Sequence, residues 1–118
     1  MPPTGRDRGY LLDILDALGL VRRYVHGVAR DQFCLDTKLQ DAVIRRLTIV
    51  GEATRRLSDE AKSQFPEVPW PQMAAFRNIA VHEYDRIDLE IVWKIIEKDL
   101  PGLHEQILTM LGPGFETE

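Results

Sequence analysis

Apolar residues recur at steps of three and four along most of this 118-residue chain, which is the spacing of amphipathic helices. The first apolar stripe predicts a helix over about residues 7 to 29. A second stripe follows Asp36, a good N-cap residue, and predicts a helix that ends near Leu57. The two stripes are formed by Tyr10, Ile14, Leu18, Val21, Val25 and Val28, and by Leu39, Val43, Leu47, Val50, Thr54 and Leu57.

The second half of the chain carries shorter helical signals. Ser58 can cap a short helix through Lys62, and two prolines follow it. A further helix is predicted from Pro71 to about Ala80, because proline suits the first turn of a helix.

The last helical signal begins at Asp88, another good cap, and its apolar stripe passes Pro101 and reaches Leu111 before a Gly-Pro-Gly stop at 112–114. Strand-like alternation is absent from the sequence, and so are internal repeats. We therefore predict an all-α fold, an antiparallel helical bundle forming a homodimer. Residues 1–118 are expected to form one domain, with a core over about 7–111.

Two glycines interrupt the long apolar stripes. Gly19 and Gly51 each lie inside a predicted helix, where glycine costs about 1 kcal/mol relative to alanine. We expect close backbone packing at both positions, within the chain or across a dimer, as the compensation.

The composition narrows the class of protein. With 44% hydrophobic and 29% charged residues, the chain is typical of a soluble globular domain, and no stretch approaches the ~20 apolar residues of a membrane span. Its N-terminal segment is amphipathic and lacks the apolar run of a signal peptide, so we expect a cytoplasmic protein. The single cysteine, Cys34, cannot form an intrachain disulfide or a metal site alone. No cofactor and no metal ligand set are predicted.

Charge is distributed unevenly along the chain. The net charge is −4, but residues 1–59 carry ten Lys and Arg against eight Asp and Glu, and residues 60–118 carry five against eleven. Binding to phosphates needs local cationic excess, so any RNA-facing surface must be a patch. Asp41 with Arg45 and Glu52 with Arg56 could instead form exposed ion pairs on the second helix. The candidates for an RNA-binding patch are Arg45, Arg46, Arg55 and Arg86.

Candidate chemistry is concentrated in residues 76–85, where Arg77, His82 and Tyr84 fall close together. In an unbroken helix, residues five apart point about 140° away from each other. Arg77 and His82 therefore converge only if the helix ends before His82, or if a two-fold axis brings together residues of two subunits. Past His82, an extended chain would place Tyr84 on the same side, and Asn78 could orient His82 if the helix persists.

The residue types suit phosphodiester chemistry. A guanidinium such as that of Arg77 is a permanently charged planar fork that fits a phosphate and its transition state. An imidazole such as that of His82 can take a proton from a ribose 2′-hydroxyl or give one to the leaving oxygen. A symmetric dimer would supply one histidine for each role without a metal ion.

Structural roles are open for the same side chains. Arg77 could pair with a carboxylate such as Glu83 or Asp85, His82 could be a capping or surface residue, and Tyr84 could anchor a loop. The other histidines, His26 and His104, have nothing comparable around them and are expected to be ordinary surface or helix-end residues.

The segment 76–84 (FRNIAVHEY), with 87–93 (IDLEIVW) and 99–101 (DLP), resembles the HepT family of the HEPN superfamily. The segments 49–53, 57–58 and 68–70 are also similar to that family. The resemblance runs from about Tyr10 to Leu108.

This resemblance implies a homodimeric ribonuclease toxin of a type VII-like toxin–antitoxin pair, with Arg77 and His82 at the positions of the catalytic motif and Asn78 and Tyr84 beside them. It also implies a small nucleotidyltransferase antitoxin of the MntA kind, which silences the toxin by attaching AMP to Tyr84. A second hypothesis is a noncatalytic nucleotide-binding or scaffold module that docks a nucleotidyltransferase, in which Arg77 holds a phosphate and His82 is structural.

Overall fold

The computed structural model describes residues 3–81 and 88–112. In these two ranges the regular structure is helical and no strand is present, which confirms the all-α prediction. The helices are α1 (Gly5–Tyr24), α2 (Arg30–Leu35), α3 (Thr37–Arg56), α4 (Asp59–Gln64), α5 (Trp70–Ala75), α6 (Asn78–Val81), α7 (Leu89–Lys94) and α8 (Leu100–Leu111), with a π-helical segment (Ile95–Asp99) between α7 and α8.

Helices α1 and α3 form the centre of the bundle and run antiparallel. The direction is fixed where Asp7, near the start of α1, meets Ser58, just beyond the end of α3. The Asp7 carboxylate accepts hydrogen bonds from the Ser58 backbone N–H at 2.9 Å and from its hydroxyl at 2.6 Å. Helix α8 packs on α1, whereas α5 and α6 pack on α3. Within the central pair, α3 therefore carries α5 and α6, and α1 carries α8.

The predicted N-caps are confirmed at all three positions. Asp36 accepts a hydrogen bond from the Leu39 N–H, and Ser58 from the Ala61 N–H, both at 3.0 Å. Asp88 accepts from two N–H groups of the first turn of α7. Each cap satisfies donors that the helix itself leaves unpaired, and each bond spans at most three residues, which is why the sequence reveals it.

The predicted first helix is too long. Instead of continuing to residue 29, α1 ends at Tyr24, and the chain turns through Gly27, whose φ of 73° lies in the left-handed region that glycine tolerates. The short helix α2, which the sequence stripe did not predict, then begins at Arg30. It inserts Phe33 into the core, where the ring lies 5.3 Å from that of Trp93.

The core follows the predicted stripes of α1, α3 and α8. Thr54 is buried inside it and satisfies its hydroxyl on the Val50 carbonyl at 2.7 Å. The largest fully buried side chains are Phe33, Leu11, Ile14, Leu18, Leu47, Met73, Ile107, Met110, Leu111, Val21, Val43 and Val50. None of the helices within 3–81 or 88–112 has the length and apolar character that a bilayer crossing requires.

The last helix does pass Pro101, as predicted, but with a change of pitch. Proline has no N–H and crowds the carbonyl four residues before it. The preceding turn, Ile95–Asp99, is π-helical and places Leu100 and Pro101 in the first turn of α8. The wider turn accommodates the proline without ending the apolar stripe.

Candidate active site

The predicted helix over 71–80 is broken at Phe76 and Arg77. Helix α5 ends at Ala75, and α6 begins at Asn78. The N–H groups of Phe76 and Arg77 bond to carbonyls three residues back, at 3.1 and 3.3 Å, which is the pattern of a tight turn. Arg77 therefore stands at the N-terminal edge of α6, and the geometry of an unbroken helix does not apply to it.

Gly51 of α3 lies directly against this turn. A Cβ at Gly51 would stand 2.8 Å from the Arg77 Cβ and 2.9 Å from its Cα, and it would collide with the Arg77 backbone nitrogen. Real Cβ atoms do not approach backbone this closely, so only glycine allows α3 to contact the turn. The expectation of close backbone packing at Gly51 is confirmed, and its partner is the candidate catalytic arginine.

The Arg77 side chain is half-buried. Among the residues that the structure describes, no carboxylate or carbonyl pairs with its guanidinium. Two of the carboxylates considered as partners, Glu83 and Asp85, lie outside the described residues.

Of the other residues predicted for the candidate site, only part lies within the described ranges. Asn78 is exposed and begins α6. His82, Tyr84 and Arg86 lie outside the described residues, as do the predicted relations of Asn78 and Tyr84 to His82. The chain returns at Asp88, the N-cap of α7.

The predicted arginine patch is only partly brought together. Arg45 and Arg55 are exposed, whereas Arg46 is half-buried and its Nε is buried without a hydrogen-bond partner among the described residues. At about 100° per residue, Arg46 and Arg55 point to opposite sides of α3, and Arg45 lies within about 80° of Arg55. The helix therefore groups Arg45 with Arg55 and separates Arg46 from Arg55.

The alternative ion pairs on α3 do not form within the described ranges: neither Asp41 with Arg45 nor Glu52 with Arg56 comes within 4.0 Å. An ion pair of this kind on a helix surface contributes little to stability in water, because the attraction is offset by the side-chain entropy lost in forming it. Their absence leaves Arg45 without a carboxylate partner on its own helix.

His104 is not an ordinary surface residue, which corrects the sequence expectation. It is 4% exposed, packed between α8 and α1, and its Nδ1 is buried without a hydrogen-bond partner in the described structure. A Cβ at Gly19 would stand 4.0 Å from the His104 Nε2. The neighbour of Gly19 within the described chain is thus a side chain at ordinary contact distance, so the close backbone approach expected there is not found within the chain. The alternative, close packing across a dimer, stays a prediction. His26 is exposed, as expected.

Burial lowers the pKa of His104 below its usual 6.5, and nearby Arg22 lowers it further, whereas Glu105 opposes the shift. The unfolded chain therefore takes up a proton at His104 before the folded protein does. Stability attributable to His104 is complete above pH 6.5 and is lost as the pH falls from there toward the lower folded pKa.

We accordingly expect the wild-type protein to lose stability on acidification from about pH 8 to about pH 5, by at most about 1.4 kcal/mol per pH unit from this proton. Urea denaturation of wild type beside His104→Gln measures the difference. His26→Gln, at an exposed position, is the control and should follow the wild type. Parallel curves for wild type and His104→Gln would contradict the prediction.

Within the described ranges, no three His, Cys, Asp or Glu side chains come together as they would around a metal ion. Cys34 is half-buried and free. The sequence interpretation missed the burial of His104. The one signal for it in the sequence is Gly19, on the helix that packs against His104.

The family match and the similar proteins agree with each other. The profile of the ribonuclease HepT-like family matches residues 14–110. The chain is 36% identical over 96 residues to a Thermococcus cleftensis protein named as a probable ribonuclease HepT, covering 81% of this chain and 87% of that protein. It is 34% identical over 100 residues to a Methanocaldococcus jannaschii protein named as a candidate RNase, covering 85% and 92% of the two chains.

A second M. jannaschii protein, named as a gamma-glutamylcyclotransferase and candidate RNase, is 37% identical over 102 residues. The match covers 86% of this chain but 46% of that protein, so the chain spans less than half of it. No solved structure matches the chain significantly.

Proposed function

Because the chain belongs to the ribonuclease HepT-like family, we propose that it is an endoribonuclease toxin that cuts RNA without a metal ion, with Arg77 and His82 at its active centre. The observation that carries the proposal is the extent of the family match, residues 14–110, which includes the whole Arg77 to Tyr84 motif. The position of Arg77, a half-buried residue whose backbone is held at a tight turn against Gly51, supports it.

The proposed reaction is internal transesterification. The 2′-oxygen of a ribose attacks the adjacent phosphorus, and the bond from phosphorus to the 5′-oxygen breaks, which leaves a cyclic phosphate and a free 5′-hydroxyl. His82 of one protomer takes the 2′-proton as base, and His82 of its partner gives a proton to the leaving oxygen as acid. The Arg77 guanidinium stabilises the additional negative charge on the phosphoryl oxygens in the transition state.

A homodimer with a composite site is part of the proposal. One chain has a single motif histidine, whereas the reaction needs both a base and an acid. The RNA backbone would be held by Arg45 and Arg55, which α3 places on one exposed side. The contribution of Arg86 to the same surface remains a prediction.

We further propose regulation by a nucleotidyltransferase antitoxin of the MntA kind. The Tyr84 hydroxyl would attack the α-phosphorus of ATP and release pyrophosphate, leaving AMP on the tyrosine. The added phosphate would place negative charge and bulk where the substrate phosphate binds. The unmodified protein is then the active form.

The test is cleavage of labelled total RNA by the purified protein in the presence of EDTA, with His82→Ala prepared in parallel. The intact mass of each preparation shows whether Tyr84 carries AMP. We expect the unmodified wild type to cleave RNA and His82→Ala to leave it intact, since loss of a general acid–base group typically lowers the rate about 10²–10⁴-fold.

Induced expression in bacteria gives a second readout: a nuclease arrests growth and His82→Ala does not. If neither protein cleaves RNA and neither arrests growth, the noncatalytic scaffold hypothesis becomes the better one. Cleavage by both proteins would assign the activity to a contaminant or to other residues.

A further inference from the structure

A groove with a volume of about 550 Å³ lies between α1 and α8. This volume is in the range of small-molecule sites in proteins. Its described lining comes from α1 and from His104 of α8, and it shares no described residue with the turn at Arg77. The lining residues are Leu12, Leu15, Asp16, Gly19, Leu20, Arg22, Arg23 and His104.

His104, which lines the groove, has one ring nitrogen without a protein partner among the described residues. His104 is 4% exposed, and its Nδ1 is buried without a hydrogen bond among the described residues. Burial and the nearby Arg22 hold the pKa of His104 below its usual value, which favours the neutral ring at pH 7. A neutral imidazole carries a single N–H.

The location of that proton follows from the cost of burying it. A buried N–H without an acceptor is rarer and costlier than a buried lone pair, so we assign the proton to Nε2. Nε2 lies beside Gly19, 4.0 Å from where a Cβ would stand. The absence of a side chain at Gly19 leaves this N–H open to the groove.

Two further donors line the same groove. Arg22 and Arg23 are exposed at the end of α1, and neither forms an ion pair with a carboxylate within residues 3–81 and 88–112. Asp16 is the one acidic residue of the described lining. The groove therefore offers an anion three donor groups, while Asp16 opposes a ligand with a second negative charge.

We propose that the groove between α1 and α8 binds a small organic monocarboxylate, whose carboxylate accepts hydrogen bonds from the His104 Nε2–H and the Arg22 and Arg23 guanidiniums. The apolar body of the ligand lies on Leu12, Leu15 and Leu20. A dianion such as phosphate is disfavoured by Asp16 and by the leucine walls.

The test follows the His104 ring by NMR at neutral pH, without RNA, while benzoate is added as the probe. The exposed His26 serves as an internal control, and His104→Gln assigns the signal. We expect a saturable shift of the His104 resonance with benzoate. Benzamide lacks the charge and should bind at least about ten-fold more weakly than benzoate, because charge-assisted hydrogen bonds are the stronger class. Inorganic phosphate should also bind at least about ten-fold more weakly, because Asp16 and the leucine walls disfavour it.

A pair of glycine variants separates binding in the groove from general effects. Gly19→Leu fills the space beside the His104 Nε2 and should abolish the benzoate response. Gly9→Leu adds the same side chain to the same helix at a position with nothing within 4 Å, and it should bind benzoate as the wild type does. If Gly19→Leu does not fold, Arg22→Gln carries the test and should weaken benzoate binding about ten-fold.

No saturable shift with benzoate, or unchanged binding by a folded Gly19→Leu variant, would overturn the proposal. Equal binding of benzamide and benzoate would also overturn it, because the groove would then be recognising the ring alone. These measurements do not depend on ribonuclease activity.

Discussion

Arg77→Lys is expected to slow RNA cleavage about 10²–10³-fold while leaving the thermal stability of the protein close to that of the wild type. Lysine retains the charge but lacks the planar fork that contacts two phosphoryl oxygens at once. Because the described structure shows no protein partner for the Arg77 guanidinium, its replacement should not remove a folding contact. Single-turnover cleavage of labelled RNA measures the loss directly.

The matched control is Arg56→Lys, at an exposed position at the end of α3. It makes the same chemical change away from the candidate site and should cleave RNA as fast as the wild type. If Arg77→Lys keeps full activity, then a charge alone is sufficient at this position and the bidentate role of Arg77 is wrong. If both variants lose activity together, the effect is not specific to Arg77, and the proposed bidentate role of its guanidinium is contradicted.

Gly51→Ala is expected to destabilise the protein by about 1–3 kcal/mol and to lower the rate of RNA cleavage by about 10²-fold. The new methyl group would stand 2.8 Å from the Arg77 Cβ and 2.9 Å from its Cα. Its neighbour is backbone, which cannot rotate away as the end of a long side chain can. Helix α3 and the turn must separate, and the guanidinium moves with the turn.

Gly9→Ala is the control for this experiment. Gly9 also lies inside a long helix, but a Cβ there has nothing within 4 Å, so the change should stabilise the protein by up to about 1 kcal/mol. Its cleavage rate should equal that of the wild type. Urea denaturation and cleavage assays on the three proteins test both expectations, and a Gly51→Ala variant with wild-type stability and activity would contradict the proposed contact.

The two glycine substitutions are expected to differ in sign, and helix propensity alone does not predict this difference. By helix propensity alone, alanine should improve every helical glycine of this chain. The contacts of Gly51 reverse that sign, because α3 must approach the backbone of the turn that holds Arg77. Close packing at Gly51 is predictable from the sequence, but the partner that packs there is not.

The candidate site was predictable to a similar extent. The chemistry of an arginine and a histidine is a property of the residue types, and together with the family resemblance it made Arg77 and His82 the candidates. Their catalytic role stays a prediction. The prediction that an unbroken helix carries Arg77 was wrong, since the chain turns at Phe76 and Arg77 before α6 begins. The hydrogen bonds of that turn are local, but the choice between turn and helix depends on packing against α3.

By itself, the sequence determined the helical class, the two long helices of the centre and the caps at Asp36, Ser58 and Asp88. These features rest on interactions between residues three or four apart, which a linear pattern records. The tertiary structure decided where the helix before α6 breaks and that His104 is buried beneath Gly19. Each depends on contacts between segments distant in the chain, and no local periodicity encodes them.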